Sequence, residues 1–148
     1  MPSGEGARRA GGRWNPPESF RTVYASLEVE TVVAEFRARV GPSRDPVEVA
    51  ADRVMWPLKT RVDNLVDLRP PEHRRLVGLP DPFALTTPRQ ASQEIGSAAF
   101  YVGYKGLLVP SAADPNATNL IVFPDHLGDD DLCELVSGQR PLAGYLAS

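Results

Sequence analysis

Prolines and glycines are spread along the whole of this sequence, fifteen and twelve of them in 148 residues. Proline interrupts helices and strands and glycine favours turns, so this composition predicts short elements joined by frequent turns, not a disordered tract. At this length one domain covering residues 1–148 is expected, and about 70% of the extended surface can be buried on folding. Residues 1–10 are small and polar and are expected to be flexible.

The apolar pattern of the first half alternates between strand and helix periods. Residues 22–26 (Thr-Val-Tyr-Ala-Ser) predict a short strand, and residues 30–39 predict an amphipathic helix. Residues 53–68 predict one or two strands, and residues 72–77 predict a short helix.

The second half begins with a helix start signal. Thr87 is placed as an N-cap before Pro88, and Gly103 is placed to end the helix. Residues 106–110 and 119–123 predict two neighbouring buried strands. The order of strand, helix, strands, helix, strand and strand predicts an α+β fold with a mixed β-sheet core and flanking helices.

Charge and cysteine content exclude several classes of protein. The net charge of −3 gives no excess of positive charge for direct nucleic-acid binding. Cys133 is the only cysteine, which rules out an intramolecular disulfide and a four-cysteine zinc site and fits a reducing compartment. No apolar run approaches the ~18 residues of a membrane span, and the N-terminus lacks a signal-peptide core. We therefore expect a cytoplasmic protein with no membrane partner.

A Gly-Gly-Arg-Trp-Asn-Pro string at 11–16 carries the first candidate site residues. The guanidinium of Arg13 can bind a phosphate through two hydrogen bonds, and neighbouring glycines allow a ligand to approach the backbone. Trp14 can stack on an aromatic ring, and Asn15 is a further substrate-binding candidate. The alternative is a surface arginine beside a tryptophan that fills the core.

The next two candidates are Tyr24 in the first strand and Glu35 on the following helix. The Glu35 carboxylate can stabilise a positively charged sugar ring, bind a ribose hydroxyl or act as a general base. Its alternative is a solvated glutamate paired with Arg39 one turn later. The alternative for Tyr24 is a half-buried tyrosine of the sheet.

Ser111 follows a predicted strand, where ligand-binding residues of α/β sites commonly lie, and Asn119 begins the next strand. No Gly-x-Ser-x-Gly elbow is present and neither histidine is paired with Ser111 by sequence, so we predict a hydrogen bond to the ligand and no acyl transfer. The alternative is a serine that caps a loop.

The acidic segments do not have the spacing of a metal site. Asp125-His126 and Asp129–Asp131 match neither His-Glu-x-x-His nor an EF-hand loop. The three aspartates are predicted to begin a weakly helical tail, where the helix dipole favours negative charge. The phosphate loops of common nucleotide-binding proteins are also missing from the sequence.

Taken together, these strings resemble the RES domain, a family named for its arginine, glutamate and serine. Gly-Gly-Arg-Trp-Asn-Pro-Pro, Thr-Val-Tyr-Ala-Ser and Thr-Val-Val-Ala-Glu are similar to its first half. Ile-Gly-Ser-Ala-Ala-Phe, Gly-Tyr-Lys-Gly-Leu-Leu-Val-Pro-Ser-Ala and Asn-Leu-Ile-Val-Phe are similar to its second half. The resemblance runs from about Gly4 to about Leu127 and is specific because the strings occur in this order.

The resemblance implies an ADP-ribosyltransferase-like fold and a bacterial toxin of a type II toxin–antitoxin system that consumes NAD by hydrolysis or phosphorolysis. The family's functional residues fall on Arg13, Tyr24, Glu35 and Ser111. Arg13 is expected to hold the pyrophosphate, Glu35 to stabilise the ribosyl cation, Tyr24 to lie against the nicotinamide and Ser111 to bond to the ligand. No metal and no cofactor beyond NAD as substrate is implied. The implied partner is an Xre-like helix-turn-helix antitoxin that blocks the site, in an oligomeric complex.

The sequence departs from the family pattern at three places. Family members commonly have a strand before the Gly-Gly-Arg segment, and this chain begins at about the loop that follows it. Lys105 stands where many relatives have an acid, and Glu18 stands where relatives often have glycine. The first departure keeps open a non-catalytic domain that only binds its antitoxin, and the shared pocket keeps open a protein ADP-ribosyltransferase.

Overall fold

The computed structural model describes residues 2–80 and 83–147. The helices are α1 (Glu5–Ala10), α2 (Val29–Val40), α3 (Pro46–Val49), α4 (Pro71–Leu76), α5 (Arg89–Val102) and α6 (Ala143–Leu146), with a 3-10 turn at Pro124–His126. The strands are β1 (Val23–Ser26), β2 (Val54–Met55), β3 (Leu58–Arg61), β4 (Leu65–Asp67), β5 (Gly106–Pro110), β6 (Thr118–Val122), β7 (Leu132–Leu135) and β8 (Arg140–Pro141). The prediction of a mixed α+β fold is confirmed.

A four-stranded sheet in the order β1-β6-β5-β4 organises the molecule. The β1–β6 and β6–β5 pairs are antiparallel and the β5–β4 pair is parallel. Gly106–Pro110 forms a central strand that is almost continuously buried, as expected of a strand covered on both faces. The sheet therefore has a core on each side.

One face of the sheet carries the main core. Leu107, Val109 and Ile121 point to this face, where α5 and the segment before β1 cover them. Aromatic rings stack in this core: the ring centroids of Phe20 and Phe100 are 4.2 Å apart. The buried members of the cluster are Trp14, Phe20, Leu68, Leu79, Phe83, Ala99, Leu107, Val109, Ile121 and Phe123.

Two smaller hydrophobic clusters lie outside the main core, one of them on the opposite face of the sheet. Leu120, Val122 and Val23 form a second cluster with Cys133 of β7, which pairs with β3 in a separate two-stranded ribbon. A third cluster, called here the satellite cluster, consists of Ala50, Leu142 and Leu146 with partly buried residues of α2 and α3 around it. It lies beside the short β2–β8 pair.

Most predicted elements are confirmed, with boundaries shifted by one or two residues. The strands predicted at 22–26, 106–110 and 119–123 are β1, β5 and β6, and the helix predicted at 30–39 is α2. Residues 53–68 contain three short strands instead of one or two. Residues 5–10 form α1, in a segment expected to be flexible.

Two sequence predictions are wrong in detail. The N-cap of α5 is Pro88, and the Thr87 hydroxyl instead accepts a hydrogen bond from Ala84 N–H (3.0 Å) in the preceding turn. The acidic segment does not begin a helix: Asp131 accepts from Gly128 N–H (2.7 Å) and pairs with Lys105 (2.9 Å), ahead of strand β7. Short-range hydrogen bonds in turns and a lysine from a distant part of the sequence bind side chains that the helix predictions assigned to helix N-termini.

Within the described residues, no helix is both long enough and apolar enough to cross a membrane.

Candidate functional site

Glu35 lies at the centre of a hydrogen-bonded network at the ends of β5 and β6. Its Oε1 accepts from Ser111 Oγ (2.8 Å) and from Asn119 Nδ2 (2.5 Å). Among the described residues, none donates to the other oxygen, Oε2. The alternative pairing of Glu35 with Arg39 is not formed within the described part of the chain. Helix α2 therefore presents a carboxylate that is fixed through one oxygen and open at the other.

Asn119 owes its orientation to the strand on its other side. It pairs with Ser26 across β1 and β6, and Ser26 Oγ donates to Asn119 Oδ1 (2.8 Å). Because the amide oxygen is occupied, the amide nitrogen is directed at Glu35. Sequence reasoning missed Ser26, because its role depends on the β1–β6 register, which the sequence does not show.

Ser111 is fully buried at the end of β5. Its hydroxyl donates to Glu35 and accepts from the N–H groups of Ala113 (3.2 Å) and Asp114 (3.3 Å). The loop-capping role and the site role considered from sequence are thus held by the same side chain. The sequence predicts a hydrogen bond from Ser111 to the ligand, but the fully buried hydroxyl instead positions Glu35.

Arg13 is positioned by a different part of the chain, the segment that precedes α5. Its Nη1 donates to the carbonyl of Thr87 (3.1 Å), and its guanidinium lies 5.7 Å from the centroid of the Phe83 ring. No carboxylate among the described residues forms an ion pair with it. Burial lowers the pKa of Arg13 and the charge of Arg89 lowers it further, while Glu35 and Tyr24 act in the opposite direction. The site thus holds a partly desolvated cation that no carboxylate of the described residues pairs with.

Tyr24 of β1 is hydrogen-bonded to the loop of residues 11–16, called here the Arg13 loop. Its hydroxyl accepts from Trp14 N–H (2.9 Å) and donates to Asn15 Oδ1 (2.6 Å). Burial raises the pKa of Tyr24 to about 12, against the smaller lowering by the Trp14 hydrogen bond and by Arg89 and Arg13. The residue as a whole is 39% exposed, so the ring has a free surface although the hydroxyl is enclosed.

Trp14 and Asn15 are not on the surface of the site, contrary to their assignment as substrate-binding residues. Trp14 is 2% exposed and stacks on Phe83 with ring centroids 5.5 Å apart. Asn15 is fully buried and donates to the carbonyl of Ala7 (2.7 Å). The core-filling alternative holds for Trp14, because a large apolar ring next to the main core is stabilised more by burial than by exposure.

Two glycines let α5 and β1 approach the Arg13 loop. A Cβ at Gly96 would lie 1.7 Å from the carbonyl oxygen of Trp14, and a Cβ at Gly12 would lie 2.5 Å from the Tyr24 hydroxyl. Gln93 adds a direct tie, since its Nε2 donates to the carbonyl of Gly12 (2.8 Å). Backbone contact with α5 therefore fixes the position from which Arg13 extends.

The residues considered for a metal have structural partners. Asp125 forms an ion pair with Arg21, and the His126 ring stacks on Phe100 with centroids 4.2 Å apart. In the described ranges, no group of three or more histidine, cysteine, aspartate or glutamate side chains is arranged to hold a metal ion.

The arrangement pairs an anion-binding group with a carboxylate suited to a developing cation. Arg13 can receive a phosphate or diphosphate. Glu35 can stabilise positive charge on a sugar ring through its open oxygen. Arg13, Tyr24 and Glu35 thus supply the groups that a phosphorylated glycoside needs. Ser111 and Asn119 position Glu35, and the buried Trp14 and Asn15 support the loop that carries Arg13.

Comparison with known proteins agrees with the resemblance found in the sequence. The family model described as "RES domain" matches residues 1–141. NAD(+) phosphorylase MbcT of Mycobacterium tuberculosis H37Rv is 32% identical over 112 residues, which are 74% of this chain and 60% of that protein. Toxin Res of Photorhabdus laumondii is 31% identical over 123 residues, 82% of this chain and 72% of that protein.

The fold is also similar to that of a solved complex. The crystal structure of the M. tuberculosis MbcT–MbcA toxin–antitoxin complex matches with a TM-score of 0.83 at 27% identity. The match covers 98% of this chain and 80% of the solved chain. The present chain spans 60% of the length of MbcT. With its family model matched over 1–141, the chain belongs to the RES domain family.

Proposed function

We propose that the chain cleaves the nicotinamide–ribose bond of NAD, with inorganic phosphate as the acceptor. The observation that carries this proposal is the state of Glu35: one carboxylate oxygen is held by Ser111 and Asn119, and the other is open. The name of the similar protein MbcT, NAD(+) phosphorylase, supports the choice of substrate and acceptor.

The reaction requires stabilisation of a cation on the ribose next to nicotinamide. When the bond between C1 of that ribose and the nicotinamide nitrogen breaks, both electrons go to the nitrogen and neutral nicotinamide leaves. The ribose ring becomes oxocarbenium-like, and the Glu35 carboxylate stabilises it electrostatically. A phosphate oxygen then forms the new bond to C1, which gives ADP-ribose 1-phosphate. Water in the same position would give ADP-ribose.

The other side chains bind and orient the dinucleotide. Arg13 binds the diphosphate through its two-pronged guanidinium, which one carbonyl hydrogen bond already orients. The exposed ring of Tyr24 offers a face for nicotinamide, while its enclosed hydroxyl keeps the ring in place. Ser111 and Asn119 hold Glu35, and no cofactor beyond the NAD substrate has a role in this scheme.

We further propose that the chain is the toxin of a toxin–antitoxin pair and acts in the cytoplasm. The solved complex of MbcT with MbcA supports an antitoxin partner. We propose an Xre-like helix-turn-helix protein that covers the site and forms an oligomer with the toxin. Expression of the chain alone should arrest bacterial growth, and coexpression of the antitoxin should restore it.

NAD consumption by the purified chain tests the proposed activity. We expect NAD loss that increases with phosphate concentration, with ADP-ribose 1-phosphate as product by phosphorus NMR. Glu35→Gln should lower the rate by about 100-fold or more, the scale of losing one electrostatic stabiliser. Glu30→Gln changes a glutamate of the same helix, exposed to solvent, and should retain the wild-type rate.

The outcomes separate the acceptors. ADP-ribose as product with no phosphate dependence would indicate hydrolysis. ADP-ribose attached to added protein would indicate a transferase. A folded chain that leaves NAD intact but binds the antitoxin would contradict the catalytic proposal and support the binding-only alternative.

A further inference from the structure

Arg89, the first residue of α5, lies close to Arg13 because hydrogen bonds tie the Arg13 loop to residues on both sides of Arg89. Arg13 itself donates to the carbonyl of Thr87 (3.1 Å), and Gln93 donates to the carbonyl of Gly12 (2.8 Å). Arg89 lies between these anchors, two residues after the first and about one helical turn before the second. The two arginines therefore start from the same small region of the fold.

The helix periodicity directs Arg89 towards the Arg13 loop. Residues 89, 93 and 96 lie on one helix face at i, i+4 and i+7. Two members of this face already contact the loop: Gln93 through its amide and Gly96 through its close approach to the Trp14 carbonyl. Arg89 continues the same face at the open end of the helix.

Arg89 has a charged side chain without a partner in the described ranges. In residues 2–80 and 83–147, no carboxylate pairs with Arg89 and none of its side-chain nitrogens makes a hydrogen bond. The first turn of α5 contains no acidic residue, and its N-cap has no side-chain hydrogen bond. Arg89 also lowers the pKa values of Arg13 and Tyr24, which places its charge within electrostatic range of both. Two adjacent cations that form no ion pair with a described carboxylate favour a doubly charged anion.

We propose that Arg89 is a second diphosphate-binding residue, which holds the pyrophosphate of the dinucleotide together with Arg13. This inference rests on the proposed function and names a further residue of the same site. The diphosphate is preferred over the acceptor phosphate because Arg89, on α5, adjoins Arg13. The acceptor instead attacks C1 of the ribose beside Glu35, which is held by α2, β5 and β6.

Binding of ADP-ribose measured by calorimetry without phosphate tests the proposal without requiring turnover. Arg89→Gln should raise the Kd by about tenfold, as expected for loss of a charge-assisted contact. Arg89→Lys should recover part of the affinity, because it keeps the charge and loses the fork. Arg44→Gln removes the same charge from an exposed loop arginine and should bind as the wild type does.

Steady-state kinetics distinguish a contact with the diphosphate from a structural role of Arg89. Arg89→Gln should raise the KM for NAD about tenfold and leave kcat within about twofold. Cleavage of nicotinamide riboside, which has no diphosphate, should be unchanged in this variant. The KM for inorganic phosphate should also be unchanged, and equal thermal midpoints would establish that the fold is intact.

Three results would overturn the proposal: unchanged ADP-ribose affinity in Arg89→Gln, an equal loss with nicotinamide riboside, or a raised KM for inorganic phosphate with that for NAD unchanged. The third would assign Arg89 to the acceptor. A wild-type chain that binds ADP-ribose but does not cleave NAD would contradict the proposed function alone, and the binding comparison would still decide the role of Arg89.

Discussion

The two halves of the candidate site stand on different supports. Arg13 extends from a loop whose neighbouring residues, Trp14 and Asn15, are 2% and 0% exposed and packed at the main core. Glu35 extends from α2, where only Thr31 is fully buried. The binding half of the site is therefore built into the main core, whereas the proposed catalytic half depends on lighter packing.

Helix α2 is held mainly by the satellite cluster and by polar contacts. Val32, Val33 and Phe36 pack against Ala50, Leu142 and Leu146, and Arg37 donates to the carbonyl of Leu146 (3.0 Å). The hydrogen bonds from Ser111 and Asn119 then fix the carboxylate itself. Damage to the main core should therefore remove the fold, whereas damage to the satellite cluster should first disturb catalysis.

The strongest test of this contrast is Trp14→Ala. Removing a fully buried tryptophan from the main core should lower the free energy of unfolding by about 3–5 kcal/mol. Trp56→Ala is the matched control, since Trp56 is 51% exposed, and should cost less than about 1 kcal/mol. Urea denaturation measures both. Equal losses would contradict the placement of Trp14 in the core.

Leu146→Ala should have the next largest effect and should act on α2. Loss of this leucine, 5% exposed in the satellite cluster, should cost about 2–3 kcal/mol. Because Glu35 would lose its support, kcat should fall more than the affinity for NAD. Leu76→Ala removes the same group from a position that is 85% exposed and should change neither quantity. A pure affinity loss in Leu146→Ala would show that the two halves are not separately supported.

Tyr24→Phe tests the link between the Arg13 loop and the sheet. It leaves Trp14 N–H and Asn15 Oδ1 without their partner and should cost about 1–3 kcal/mol. The pKa of Tyr24 is raised from 10.0 to about 12 by folding. Its contribution to stability is therefore complete below pH 10 and is lost as the pH rises from 10 to 12.

Denaturation of the wild type and of Tyr24→Phe across this alkaline range measures that dependence. Only the wild type should lose the Tyr24 contribution, so the difference in stability between the two proteins should shrink with rising pH. A constant difference would mean that the hydroxyl titrates alike in both states.

Glu18→Gly should give the smallest effect, and a favourable one. Glu18 has a φ of 52°, a left-handed conformation that costs a side chain about 1–2 kcal/mol. Glycine removes that cost and loses about 0.5–1 kcal/mol through its unfolded-state entropy, which leaves a net gain of about 0.5–1 kcal/mol. Thermal unfolding measures the gain. Glu18→Ala keeps a Cβ and should show none.

The sequence predicts the elements well where local chemistry decides them. The strand at 22–26 and the helix at 30–39 follow from periodicity, and the family resemblance selected Arg13, Tyr24, Glu35 and Ser111 as site residues. The assignment of glycine in relatives to the position of Glu18 also agrees with its left-handed backbone. Each of these depends on residues close together in the chain or on a recurring motif.

The errors arise where distant segments decide the outcome. Trp14 and Asn15 belong to the motif, yet they are enclosed by residues outside it: Gly96 of α5, far along the chain, approaches Trp14, and Tyr24 of β1 bonds to Asn15. The local sequence predicts a helix start at Asp131. Its ion pair with Lys105 is not predicted, because the two residues are far apart in the sequence. Ser26 and Arg89 were not selected, since strand register and helix placement bring them to the site.

Parallel measurement of NAD binding and turnover in two variants tests the proposed roles of Arg13 in binding the dinucleotide and of Glu35 in stabilising the ribosyl cation. Glu35→Gln should lower kcat by about 100-fold or more and leave the Kd for NAD within about threefold. Arg13→Gln should raise the Kd by about tenfold or more. Wild-type turnover by folded Glu35→Gln would contradict the proposed catalytic role of Glu35.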